Sequence, residues 1–310
     1  MVKTNGIKQN SSHLIKRRRF FTYRLPAFVF LAPFLTFFLL FTVIPIFSAI
    51  ILSFTYFNML EMPRFVGFEN YIRMFFDDDV MLIALRNTIA FALITGPIGY
   101  VLSFTFAWLI NEFPRWLRTI LTVVFYGPSL AGNVYFIWTY IFSGDAVGLL
   151  NTFLRNLYFI TTPIQWLTDQ RYTMGVVIVV ILWLSMGAGF LAFCAGLRTL
   201  DKSLNEAASI DGLKNRFQEL WYITLPQMVP QLLFGAVMSI SISFAIGYES
   251  MNLLGYPSTE YSAHTLVLHI MDFGSIRFEM GYASAVAVLL FSIMLLVWTM
   301  VNRLLSNWGE

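Results

Sequence analysis

The charged and polar residues of this 310-residue chain that could do chemistry gather in two places. The first runs from Arg198 to Pro226. Ser203-Leu204-Asn205-Glu206 has the S-x-x-E form of a capping box, in which a hydroxyl and a carboxylate satisfy free N–H groups at a helix start. Ala207 to Ile210 continue that helix and Asp211-Gly212 ends it, glycine tolerating a left-handed turn that other residues resist. Leu213, Phe217, Leu220 and Trp221 then recur at i, i+4, i+7 and i+8, the stripe of a second short helix. Pro226 closes the unit and begins the next apolar run. With four basic and four acidic residues, such a helix–turn–helix is either a docking element or a well-folded connector.

The second place holds His264, His269 and Asp272. These types ligate metals, but spacings of five and three give them no common helical face, so loop polarity is the expected reading and no metal site is assigned. Asp77-Asp78-Asp79 reads as a solvated turn or helix start, with docking of an external protein as the alternative. No catalytic residue is assigned. The chain has no G-x-x-x-x-G-K-[ST] phosphate-binding loop. Its single cysteine, Cys194, allows no internal disulfide.

The elements that carry these residues are set by composition. Hydrophobic residues make up 58% and charged residues 12%, too few charges to cover a soluble surface. Runs free of Asp, Glu, Lys and Arg cover 25–60, 87–111, 119–144, 172–197, 220–248 and 280–302. Each exceeds the ~20 residues that a helix needs to cross the hydrocarbon layer. The next run, 156–168, is too short and holds Pro163. The first run is longer than the core of a cleaved signal peptide, and Pro33 and Pro45 are expected kinks in it. An all-α polytopic fold with six transmembrane helices follows. With the N-terminus inside, the inner segments carry fourteen of the twenty basic residues and the outer ones eleven of the seventeen acids. Both termini are therefore expected in the cytoplasm. Residues 1–24 form a basic cytoplasmic segment read as a topology determinant, not a nucleic-acid signal, and 25–310 form the membrane domain. The sequon at Asn10 then lies inside and carries no glycan.

No neutral run contains an ionisable carboxylate or amine, which argues against a proton-coupled carrier or a selective ion channel and suits a neutral, hydroxylated solute. Small residues stand at helical spacing: Gly235, Ser239, Ser243 and Gly247 on the fifth run, and Ala188, Ala192 and Gly196 on the fourth. They permit close helix packing or line a path. Aromatic platforms with a few hydrogen-bonding groups would recognise such a solute. Asn133, Tyr135, Trp138, Trp183, Ser239, Ser243, Tyr248 and Glu249 are the pathway candidates.

Glu206-Ala207-Ala208, Gly212 and Ile223-Thr224-Leu225-Pro226 resemble the E-A-A-x-x-x-G … I-x-L-P loop of ABC importer permease subunits. Phe65-Val66-Gly67-Phe68-Glu69-Asn70-Tyr71, Asn87-Thr88 and Gly281-Tyr282-Ala283-Ser284-Ala285 are similar to stretches of the carbohydrate-uptake branch. Two departures stand out. Ten residues instead of nine separate Gly212 from Ile223, so the second loop helix is expected to be rotated or bulged. Leu254-Gly255-Tyr256-Pro257-Ser258-Thr259 replaces a G-G-P stretch, which weakens transfer of sugar-contacting positions. The resemblance implies a coupling loop, 198–226, seated on a cytoplasmic ATPase through Glu206, Ala207, Ala208, Asp211, Gly212, Phe217, Leu225 and Pro226. It further implies two ATPase subunits holding ATP and Mg, a second and related permease subunit, an extracellular or periplasmic solute-binding protein, and a bacterial or archaeal cytoplasmic membrane. This chain itself would bind no cofactor and hydrolyse nothing. A sugar or oligosaccharide is the expected solute. A non-sugar importer is the alternative, and an ion-coupled carrier or a scaffolding subunit are the rivals.

Overall fold

The computed structural model describes residues 29–306 apart from 132–133, 211 and 214. The segment 1–24 with its sequon, Asn133 and Asp211 therefore lie outside the described residues. Helix α1 (Val29–Leu52) has a mean hydropathy of 2.6 in its most apolar window, has no buried residue there, and forms a unit of its own. Its π-helical turn, Leu39–Val43, stands just before Pro45, whose ring nitrogen cannot donate to the preceding turn.

The second unit begins at Ser53. Strands β1 (Thr55–Tyr56) and β2 (Arg64–Phe65) pair antiparallel with Thr55 opposite Phe65. Helix α2 (Glu69–Phe76) leads to α3 (Asp79–Asn111), capped by the Asp78 carboxylate, which accepts the Met81 N–H at 2.9 Å. Then come α4 (Arg115–Leu130), α5 (Tyr135–Ile141), α6 (Leu149–Asn156), α7 (Gln170–Leu184) and α8 (Ala188–Thr199). The polar loop holds α9 (Lys202–Ile210) and α10 (Arg216–Gln227), followed by α11 (Val229–Phe244), α12 (Tyr248–Leu254), α13 (Leu266–Ile276) and α14 (Met280–Ser306).

Four stretches, Val29–Leu52, Asp79–Asn111, Gln170–Thr199 and Met280–Leu305, are helices long and apolar enough to cross a membrane. The count reaches six if each of two bent pairs is one span: α4 with α5, meeting at 91°, and α10 with α11, meeting at 84°. The third and fifth expected spans are thus broken, not continuous. Missing proline N–H groups explain where the helices weaken: Pro128 lies near the end of α4, and Pro226 and Pro230 flank the bend at Met228. Pro226 does not begin the fifth span. It sits in the last turn of α10, and the next helix, α11, starts at Val229. The helices also outrun the neutral runs, so charges do stand within them near their ends: Asp79 and Arg86 in α3, Arg171 in α7, Arg198 in α8 and Arg303 in α14.

Helix α3 packs against α7, α8, α11 and α13 and so organises the unit. Around it, Phe190, Phe193, Met228 and Leu232 form one apolar cluster, Phe91, Val177 and Ile181 a second, and Met81, Leu266, Tyr282 and Val286 a third. The small-residue stripe serves tight packing. A Cβ on Gly235 would stand 2.2 Å from the Phe193 ring, and one on Gly189 would touch the Gly235 backbone at 3.4 Å. Gly247 leaves the stripe, because α11 ends at Phe244.

The three stretches quoted outside the polar loop prove to be clamps. Asn70, buried, donates from Nδ2 to the Ser53 and Thr55 carbonyls at 2.9 Å each, and the Tyr71 hydroxyl donates to Ser53 Oγ at 2.8 Å. Asn87 Nδ2 donates to the Tyr261 and His264 carbonyls at 3.0 Å, while Thr88 Oγ1 accepts the Leu266 N–H at 2.9 Å. Gly281 lies so close to the hairpin that a Cβ would stand 2.0 Å from the Thr55 carbonyl oxygen.

Candidate functional site

The polar loop folds as two helices, with changes of detail. Helix α9 begins at Lys202, one residue before Ser203, and Asp201 is the residue that accepts the Ser203 N–H, at 2.9 Å. The capping side chain is thus that of Asp201, ahead of Lys202, where the sequence pointed to Ser203. The hydrogen bonds from Ser203 hold its carboxyl below the ordinary range. Gly212 does end the helix: its φ is +97°, and the Leu213 N–H returns to the Ala208 carbonyl at 3.0 Å. Glu206 and Ala208 lie on α9, whose Leu204, Ala207 and Ile210 are exposed at successive turns, Ile210 by 87%. The apolar side of α9 is thus uncovered.

Helix α10 starts at Arg216, capped by Asn215 Oδ1, which accepts the Phe217 N–H at 3.1 Å, so Leu213 precedes the helix instead of sharing its stripe. Leu220–Thr224 is a π-helical turn. A π turn takes up one residue more than an α turn, the size of the insertion between Gly212 and Ile223. The loop is therefore bulged. Helix α10 is also tied to the end of α3: Arg216 bridges Glu112 at 2.9 Å and Glu219 at 3.1 Å, and the Phe217 ring stands 5.8 Å from Trp108. Leu225 packs into the cluster of Phe190 and Met228. Helix α10 is thus held directly against the end of α3.

The pathway candidates separate into two groups. Tyr135 and Tyr248 meet edge to face with centroids 6.1 Å apart, and Trp138 and Trp183 do so at 5.3 Å. Trp138 Nε1 is buried without an acceptor among the described residues. Glu249 accepts the Gly247 N–H at 3.1 Å and so caps α12. Ser239 and Ser243 lie elsewhere. Ser239 Oγ donates to the Gly96 carbonyl at 2.7 Å, and Ser243 Oγ to its own helix at the Ile240 carbonyl. Both serines line a cavity of about 20 Å³ together with Tyr100, Ser103 and Ser185, room for one water. They also border a groove of about 370 Å³ between α3, α11 and α14, apolar apart from Tyr100 and these serines. The small cavity alone admits no sugar ring, and the groove falls in the size range of ligand pockets.

The second cluster of the sequence is not loop polarity. His264 and His269 are each 1% exposed. His264 Nε2 lies 3.3 Å from His269 Nδ1, His269 Nε2 lies 3.2 Å from Asp78 Oδ2, and the Tyr282 hydroxyl donates to that same oxygen at 2.7 Å. Burial drives the Asp78 carboxyl up, but hydrogen bonds from His269, Tyr282 and the Met81 N–H outweigh it and hold the group well below the usual carboxylate range. An ionised Asp78 can only accept, so His269 donates to it from Nε2, and its Nδ1 shares a hydrogen bond with His264 Nε2. Burial, then His269, presses the His264 imidazole down to about 4. Asp272 pairs with Arg277 at 2.7 Å, and Arg73, bridged to Glu279, lies over the Tyr282 ring at 4.6 Å. Among the described residues no group of three such side chains is placed to hold a metal. Spacing could not reveal this cluster, because its organising residue, Asp78, lies 191 positions from His269. A clue was available in Asp78 standing next to a helix start, where carboxylates cap.

Broken and continuous apolar helices around a central α3, with an amphipathic helix pair in one polar loop, define a polytopic membrane permease domain. The chain belongs to the family described as the binding-protein-dependent transport system inner membrane component, which it matches over residues 97–307. It is 31% identical over 290 residues to the probable ABC transporter permease protein YesP of Bacillus subtilis, covering 92% of this chain and 91% of that protein. It is 30% identical over 293 residues to the arabinooligosaccharides transport system permease protein AraP of the same organism, covering 94% and 91%. The fold matches a chain of a crystal structure of a bacterial alginate ABC transporter in complex with an alginate pentasaccharide-bound periplasmic protein, with a TM-score of 0.75, 20% identity and coverage of 94% and 97%. The ABC importer permease fold is shared over nearly the whole chain.

Proposed function

We propose that this permease subunit forms half of the translocation pathway of an ATP-driven importer for a sugar or oligosaccharide. Relatives named for arabinooligosaccharides and lactose support the solute class. In this reading the Trp138 N–H and the aromatic edges offer a hydroxylated ring a donor and stacking faces. Ser239 and Ser243 border the groove that a second, related permease subunit would complete. Both termini and the loop 198–226 face the cytoplasm, residues 25–310 are the membrane domain with six spans, and an extracellular or periplasmic binding protein delivers the solute. Two ATPase subunits holding ATP and Mg seat α9 through Glu206, Ala207 and Ala208. Asp211 belongs to the same coupling set, Gly212 sets the bend, and Phe217, Leu225 and Pro226 pass the motion on.

The observation that supports the coupling role is the uncovered apolar side of α9, next in the chain to α10, which Arg216–Glu112 and Phe217–Trp108 tie to the central helix. Family membership decides against the ion-coupled carrier. The lack of intramembrane charge alone would not, given the buried Asp78–His269–His264 chain. Co-purification of the ATPase with wild type and Glu206→Lys tests the role: the reversal is expected to lose both the ATPase and solute uptake. If both survive, the assignment of α9 as the coupling helix is wrong.

A further inference from the structure

Helix α6 and the turn after it show an exposed surface that holds none of the residues assigned above to the pathway or the coupling loop. The helix is anchored on one side only. Asn151, fully buried, donates from Nδ2 to the Ser143, Asp145 and Ile164 carbonyls and accepts the Trp166 Nε1–H at 2.9 Å. The Trp166 ring in turn contacts Phe142, at the end of α5, and Tyr172, in the first turn of α7, with centroids 6.4 and 5.1 Å apart. One indole therefore spans the distance from α6 to the ends of two membrane segments.

The free surface of α6 is divided. At about 100° per residue, Leu149, Phe153 and Leu157 share one exposed side, and Thr152, Arg155 and Asn156 share the next, while Leu150, Asn151 and Leu154 face the protein. The helix ends in a turn of the glycine-type C-cap, with the Phe159 N–H returning to the Leu154 carbonyl at 3.0 Å. The left-handed position of that turn is occupied by Tyr158, at φ +59°, a conformation unfavourable for a bulky side chain. Tyr158 is 95% exposed and Phe159 74% exposed, so neither is held there by packing. An apolar side beside a polar side, tipped by a tyrosine and a phenylalanine, matches the boundary between acyl chains and water.

We propose that α6 lies flat in the headgroup layer as an interfacial anchor, with Phe153, Leu157, Tyr158 and Phe159 in the bilayer surface and Arg155 toward water and phosphate.

Cys194 is buried, so single exposed cysteines can be labelled selectively. Phe153→Cys, Tyr158→Cys and Thr152→Cys would each carry a nitroxide in the assembled transporter in phosphatidylethanolamine–phosphatidylglycerol vesicles. The ratio of oxygen to water-soluble nickel-chelate accessibility is expected to be higher at 153 and 158 than at 152. Equal, nickel-dominated accessibility at all three sites overturns the proposal. So does a nickel-accessible label at 158 that becomes protected only when the solute-binding protein is added, since the partner is then a protein.

Discussion

Lowering the pH from 7 to 5 adds protons to His264 in the unfolded chain before the folded chain takes them. Buried beside His269, the folded imidazole titrates at about 4 against 6.5 for the free side chain. A histidine whose folded value is depressed gives full stability above the unfolded value and loses it as pH falls toward the folded one. The window is therefore between about 6.5 and 4. Integrating proton uptake over two pH units makes the protein about 2 kcal/mol less stable at pH 5 than at pH 7. Asp78, also depressed, gives stability that is lost only below the ordinary carboxylate range, so the two contributions separate along the pH axis. Other groups facing the pair are Asp272, Arg277 and Tyr282, with Arg73 over the Tyr282 ring. Reversible unfolding in mixed micelles by added dodecyl sulfate, followed by circular dichroism at pH 7 and pH 5, measures the difference. His264→Gln keeps a donor toward His269 without a titratable ring and should remove most of it. A wild type equally stable at both values, or a His264→Gln variant with the full acid loss, would refute the assignment.

Two further substitutions probe the packing. Gly235→Ala places a methyl 2.2 Å from the Phe193 ring and should destabilise by about 1–3 kcal/mol in the same micelle assay, with relief when Phe193→Leu is added. Asn87→Ala leaves the Tyr261 and His264 carbonyls without their shared donor, for a loss of about 2–4 kcal/mol and faster proteolysis of the 255–265 segment. If Asn87→Ala matches wild type in both readouts, that clamp contributes nothing.

Much was legible in the residues alone, for a physical reason in each case. Apolar runs exceed a bilayer's thickness whatever they pack against, so the apolar segments were countable. Gly212 was readable as a helix stop because its left-handed backbone is a local property, and one surplus residue in the loop announced a bulge that became the π turn at 220–224. Local competition was harder. Asp201 sits one residue ahead of the helix and outbids Ser203 for the cap, and prolines at 128, 226 and 230 turned two expected spans into bent pairs. What only the tertiary structure decided is which distant groups meet. Asp78, His269, His264 and Tyr282 come from three separate segments, and burial alone converts four ordinary polar residues into one coupled chain. Helix crossing at Gly189 and Gly235 also decided that the Ser239 hydroxyl meets the Gly96 carbonyl of α3, which its spacing alone did not show. Sequence fixes what each segment can do by itself, since hydropathy, caps and turns act over a few residues. Packing fixes partners, because hydrogen bonds and close contacts require proximity that no local pattern encodes.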